Sequence, residues 1–263
     1  MQFASINDVV IHYDFQPIAA EKPVLVFINS LGTDFRIWDE VRARLRNDVS
    51  TLVYDKRGHG LSDVGAPPYT IELLATDLIN LLDKLSIKRA IICGLSVGGL
   101  IAQGFYAARP DLVAGFVLSN TAHKIGTAAM WDARIAAIQQ DGLSSILDAT
   151  MPRWFTSDYR RSDNPAYHAY CNMFVRQPLD GYAATCAALR EADLTEVART
   201  ISVPTLCLVG DQDGSTPPTL VRELASLIPE ADFTEIAASG HIPCVEQPDA
   251  YVSLLRNFIS NRF

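Results

Sequence analysis

Residues 90–100 read Ala90-Ile91-Ile92-Cys93-Gly94-Leu95-Ser96-Val97-Gly98-Gly99-Leu100. The apolar run Ala90–Cys93 has the composition of a strand buried on both faces of a parallel sheet. Leu100–Ala108 continues as an apolar helix. Between them lies Gly-x-Ser-x-Gly. A chain that turns this sharply from strand to helix strains its central residue, and the flanking positions have no room for side chains. Ser96 is thereby lifted clear of the sheet, and the Val97 amide points into the same space. A glycine-rich turn that merely contains a serine lacks the strand before and the helix after; with both present, the stretch is expected to be an elbow that presents a nucleophile.

The same alternation extends in both directions. Residues 2–15 form two short strand patterns about Asn7-Asp8, a hairpin with a weaker turn pair than Asn-Gly. Strands are expected at Pro23–Ile28, Thr51–Tyr54, Leu112–Leu118, Val203–Val209 and Asp232–Ile236. Helices are expected around Ile37–Leu45, over Ile71–Leu85 with Thr70 as cap, over Pro218–Leu227 and from Pro248. Strands alternating with helices make βαβ units, and hence a mostly parallel, doubly wound α/β sheet. The rhythm breaks between about Asn120 and Glu196, where Met130–Gln139 and Leu143–Thr150 read as helical and no strand pattern occurs. The expected organisation is a core over 1–119, an inserted helical cap over 120–196, and the rest of the core over 197–263.

With 263 residues, 49% apolar and 20% charged, the chain suits one globular domain with an insertion. Its net charge of −8 argues against nucleic acid and anionic membrane surfaces as partners, and it obliges any anionic substrate to find a local cation. Five scattered cysteines without a Cys-x-x-Cys spacing point to neither a disulfide framework nor a zinc site. Met1-Gln2-Phe3-Ala4 does not open a signal peptide, and no apolar run would span a bilayer, so a cytoplasmic location is expected.

A serine hydroxyl needs a base to become a nucleophile, and imidazole titrates closest to neutrality. Of five histidines, His12 lies in an early strand, His59 in a Gly-flanked turn, and His123 and His168 in the cap. His241 alone follows the last strand, where loops at strand C-terminal ends converge, and Gly240 lets the chain bend there. His241 is therefore the expected base, and His59 is expected to hold a loop. An acid must fix the imidazole's tautomer. Asp211 and Asp213 both follow the Val203–Val209 strand; Asp213 stands further out and is preferred, with Asp211 as the alternative turn-former. The two backbone donors for an oxyanion are expected to be the amides of Val97 and Leu31.

These segments resemble the α/β-hydrolases and, more narrowly, the β-ketoadipate enol-lactone hydrolases (3-oxoadipate enol-lactonases). The resemblance runs nearly end to end. It is most specific at Asn29-Ser30-Leu31-Gly32-Thr33-Asp34, at Tyr54 to Ser62 (YDKRGHGLS), at Gly94 to Gly99 and at Asn120-Thr121-Ala122 leading to Ile125-Gly126-Thr127. The wider superfamily usually carries His-Gly where this chain has Asn29-Ser30, a departure shared with the enol-lactonase form. The resemblance implies the α/β-hydrolase fold, the triad Ser96, Asp213 and His241, no metal and no organic cofactor. It also implies a small anionic lactone as substrate, opened to β-ketoadipate in the catabolism of aromatic acids.

Such a substrate carries an acetate arm. Arg134 is the expected carboxylate partner, slightly ahead of Arg153, with Trp131 packed on the ring and Met130 and Trp154 as apolar wall. The rival expectations are a general small-ester hydrolase or cofactor-free perhydrolase of the same fold, and a lactone-binding receptor.

Overall fold

The structure, a computed structural model, describes residues 1–18 and 22–263. Its strands are β1 (Gln2–Ile6), β2 (Val9–Gln16), β3 (Val24–Ile28), β4 (Thr51–Tyr54), β5 (Ala90–Leu95), β6 (Val113–Ser119), β7 (Thr205–Gly210) and β8 (Asp232–Ile236). They form one sheet in the order β1-β2-β4-β3-β5-β6-β7-β8. The β1–β2 hairpin turns at Asn7, whose φ is 52°, and β2 joins β4 antiparallel. Every pairing from β4 through β3, β5, β6 and β7 to β8 is parallel. The sheet is thus mostly parallel, as the alternating pattern requires. Residues of β4 to β7 are buried without exception, which explains their unbroken apolar runs.

The helices are α1 (Asp39–Leu45), α2 (Ile71–Lys84), α3 (Val97–Ala108), α4 (Ala128–Asp141), α5 (Leu147–Trp154), α6 (Pro165–Val175), α7 (Leu179–Glu191), α8 (Thr195–Thr200), α9 (Pro218–Leu227), α10 (Pro243–Glu246) and α11 (Pro248–Arg262). Two sets cover the sheet: α1 packs with α10 and α11, while α2 packs on α3, α3 on α8 and α8 on α9. Thr70 caps α2 by accepting from the Leu73 amide at 3.1 Å. Helices α4 to α7 follow β6 in the chain, with α4 against α7 and α5 against α6.

Three boundaries depart from the sequence reading. The strand before the elbow runs on to Leu95 and α3 begins at Val97, so only Ser96 separates them. The segment expected as one helix over Leu143–Thr150 is a 3-10 turn (Leu143–Ile146) followed by α5, and the break falls at Ile146, whose φ of −107° and ψ of 4° leave the helical range. The short α10 was not expected; Pro243 at its first position starts it. Among the described residues no helix is long and apolar enough to cross a membrane.

Candidate active site

Ser96 sits at φ 58° and ψ −119°, a conformation that costs on the order of 1–3 kcal/mol for a residue with a side chain. Its surroundings enforce it. The Ser96 amide donates to Ser119 O at 3.1 Å; its carbonyl accepts from the Thr121 hydroxyl at 2.6 Å and the Gly99 amide at 2.9 Å. A Cβ on Gly98 would lie 2.4 Å from Ile28 O, and one on Gly94 would lie 2.3 Å from Gly98 O. The glycines are therefore required by close backbone approach, as the motif implies. Val97 is the first residue of α3, where amides have no partner within the helix.

Asp213 and His241 extend from the C-terminal ends of β7 and β8. His241 Nδ1 lies 2.8 Å from Asp213 Oδ2, and both residues are buried. The same carboxylate oxygen accepts from Asn120 Nδ2 at 2.9 Å and the Thr216 hydroxyl at 2.7 Å; its other oxygen accepts from the amides of Ser215 at 2.7 Å and Thr216 at 3.0 Å. Burial pushes the Asp213 carboxyl up, yet the charge on His241 and these hydrogen bonds more than offset it and hold the acid below its usual range. Asp211, the alternative acid, is exposed and accepts from the Ser239 amide at 3.1 Å, which makes it the turn-former.

Ser96 and His241 line one cavity of about 70 Å³. Ser30, Leu31, Ile125, Gly126, Met130, Trp131, Arg134, Arg153, Trp154 and Tyr182 complete most of its wall. All three expected substrate contacts are thus gathered here, with Arg153 beside them. Trp131 is buried and donates from Nε1 to Ile125 O at 2.7 Å, which fixes its ring. The Arg134 guanidinium lies 6.0 Å from the Trp131 ring and 5.9 Å from that of Tyr182, and it donates to the Thr150 hydroxyl at 2.6 Å. Arg134 Nε and the Tyr182 hydroxyl are buried and have no hydrogen-bond partner among the described residues. Burial and the neighbouring Arg134 lower the pKa of Arg153, the sign of two cations sharing one enclosure.

His59 holds a loop, as expected: its Nε2 accepts from the Gly32 amide at 3.1 Å. Burial and the nearby Lys56 push its pKa well down, so the ring is a neutral acceptor. His12 carries more than a strand position. Its Nδ1 meets Asp55 Oδ2 at 2.8 Å, away from the Ser96 cavity.

Sequence reasoning gave no role to Asn120, quoted only within a motif, or to Thr216, Tyr182 and Glu246. Asn120 follows β6 at a strand C-terminal end, where site residues gather, and that position was a usable signal. Glu246 accepts from the Thr156 amide at 2.9 Å, the Thr156 hydroxyl at 2.8 Å and the Gly240 amide at 2.6 Å. It thereby joins the cap to the His241 loop; desolvation raises its pKa. Tyr182 has no local signature, since only the tertiary packing of α7 brings it to the cavity.

The chain has clear relatives. The alpha/beta hydrolase family matches residues 25–254. The 3-oxoadipate enol-lactonase 2 of Acinetobacter baylyi is 36% identical over 232 residues, 88% of this chain and 86% of that one. The crystal structure of the enol-lactonase from Burkholderia xenovorans LB400 superposes with a TM-score of 0.94 at 36% identity, covering 98% of this chain and 100% of that one. A malate-bound thermophilic esterase from Thermogutta terrifontis superposes at 0.92 with 26% identity, covering 99% of each. The match across most of the chain and the identity to these relatives show that this protein is a hydrolase of the alpha/beta hydrolase family, within the group of the 3-oxoadipate enol-lactonases.

Proposed function

We propose that this enzyme opens β-ketoadipate enol-lactone with water to give β-ketoadipate, by way of an acyl-enzyme on Ser96. The observation that carries the reading is the enclosure itself. The serine of the elbow and His241, itself paired with the buried Asp213, line a small cavity whose wall also holds two half-buried guanidinium groups. An acyl-transfer centre of this kind serves any ester; paired cations select one that bears a carboxylate.

In the proposed reaction His241 takes the Ser96 proton as Oγ attacks the lactone carbonyl. Asp213 accepts from Nδ1, which leaves Nε2 as the basic nitrogen, and it stabilises the imidazolium. The amides of Val97 and Leu31 receive the negative oxygen. Collapse breaks the bond to the ring oxygen, which takes the proton back from the His241 imidazolium and leaves as an enol; this tautomerises to a ketone and no longer competes for the acyl group. Water, deprotonated by His241, then releases the product from Ser96. Arg134 holds the acetate arm, and Arg153, which lines the same cavity, contributes the second cation. Trp131, fixed by Ile125, gives the ring an apolar face, and Trp154 walls the side near His241. The resemblance implies that the lactone arises in aromatic-acid breakdown.

A substrate panel tests this reading. Hydrolysis of the enol-lactone, followed by loss of its ultraviolet absorbance, is expected to proceed over many turnovers. Its kcat/KM should exceed that of neutral esters of similar size by about 100-fold or more, the selectivity that a paired charge supplies over an unpaired one. Equal values would favour the small-ester hydrolase reading suggested by the Thermogutta terrifontis esterase; binding without turnover would favour a receptor.

A further inference from the structure

The Ser30–Leu31 peptide is gripped from its buried side. Lys56, two residues beyond β4, is 1% exposed, and its Nζ donates to Ser30 O at 2.7 Å. The Thr33 hydroxyl donates to the same oxygen at 2.9 Å and the Thr33 amide at 3.4 Å. In a trans peptide the carbonyl and the following N–H point in opposite directions. Holding Ser30 O toward Lys56 therefore turns the Leu31 N–H the other way, and Leu31 lines the cavity that Ser96 lines. The next amide along, Gly32, is committed to His59. The loop thus spares one donor and fastens the groups on either side of it.

A buried ammonium is an expensive way to fill space, and an apolar side chain of the same length would pack there at less cost. Resting on the reading of Ser96 as nucleophile, we propose that Lys56 is a positioning residue of the oxyanion site, aiming and polarising the Leu31 N–H through the Ser30–Leu31 peptide. Donation to a carbonyl draws electron density from its amide and strengthens the N–H as a donor. The positive charge behind the peptide adds to this in a low-dielectric interior, and it does so most when the oxygen becomes negative. Three ionisable groups surround the ammonium. Asp55 precedes it, Asp34 faces it from the loop after β3, and His59 faces it from the turn that follows. Burial drives Lys56 down to about 7, against the pull of Asp55 and Asp34. The charge that assists the reaction is accordingly lost on the alkaline side of neutrality.

The test uses p-nitrophenyl acetate, a neutral ester for which the cap arginines have no charge to hold. Lys56→Met is expected to lower kcat about 10- to 100-fold, less than deleting an oxyanion donor outright, with KM within about twofold. Its unfolding midpoint should not fall, and the alkaline decline of kcat should disappear. Lys56→Arg, which keeps the cation, should retain more activity than Lys56→Met. A packing role predicts the reverse order, because Met fits the space and Arg does not; that order overturns the inference. If Lys56→Met does not fold, the wild-type Leu31 amide resonance carries the test: it should shift as Lys56 titrates, and a resonance that stays fixed overturns the inference. Ser96→Ala separates the two readings. Ester hydrolysis that survives it removes the nucleophile assignment and this inference together, whereas Ser96-dependent activity that is indifferent to Lys56 removes the inference alone.

Discussion

The two halves of the cavity are built by different means. On the sheet side, Ser96, Asp213 and His241 each lie at the C-terminal end of a strand, and backbone contacts hold them. Backbone oxygens there lie within 2.4 Å of where a Cβ on Gly94 or Gly98 would stand, and amides donate to the acid. On the cap side, Arg134, Arg153 and Tyr182 arrive on long side chains from separate helices, with polar atoms still unpartnered. The sheet side has one geometry available to it; the cap side has capacity to spare. On the proposed reading, the difference assigns bond-breaking to the sheet side and the choice of substrate to the helical side.

Substitutions on each side sharpen that contrast. Ser96→Ala is expected to cost about 10⁴-fold or more in kcat/KM for lactone and neutral ester alike, in steady-state assays. Comparable losses on both substrates mark a sheet-side residue. Asp213→Asn should lower kcat about 10³- to 10⁴-fold on both, because the imidazole tautomer is no longer fixed.

The same change has a stability signature. The folded-state pKa of Asp213 lies below its ordinary 3.8, so its contribution is fully present above that value and is lost as pH falls through the folded pKa. Denaturant midpoints of the wild type should fall more steeply below about pH 4 than those of Asp213→Asn. Parallel pH curves would break the link between burial and charge at this acid.

On the cap side, Arg134→Met should raise KM for the anionic lactone about 10- to 100-fold more than for a neutral ester of its size. That corresponds to losing one charge-assisted hydrogen bond. An equal rise on both substrates would erase the division between the halves. The smallest effect is expected at Asp211→Asn. An exposed turn carboxylate should change stability by under about 0.5 kcal/mol and kcat by less than twofold, which distinguishes it from its neighbour at 213.

Most of the sheet side was legible in the sequence. The elbow declares itself because close backbone approach demands glycine at fixed offsets, and the base follows from its place after the last strand. Choosing between Asp211 and Asp213 was harder, since both suit a turn; the difference lies in which carboxylate the fold buries. Asn120 could be placed near the site by its strand end, but its donation to a residue 93 positions away is encoded by no spacing, and that Thr216 reaches the same acid is decided by how the loop after β7 folds. The cap side was half-legible. Trp131 and Arg134 share a helix face, which spacing reveals, whereas Tyr182 and the Glu246 link exist only once α5, α7 and the His241 loop have packed.

One seam ties the wall of the cavity to the loops behind it. The His241 amide donates to Trp154 O at 2.8 Å, Arg153 Nε to Gly214 O at 2.9 Å, and the Gly214 amide to Arg153 O at 3.2 Å. The end of α5 is therefore stitched, by two main-chain bonds and one from the Arg153 side chain, to the segments bearing His241 and Asp213. Trp154 and Arg153 are thereby held in a fixed relation to the loops that carry His241 and Asp213, so a substitution that displaces the end of α5 would be expected to disturb the imidazole and the cavity wall together.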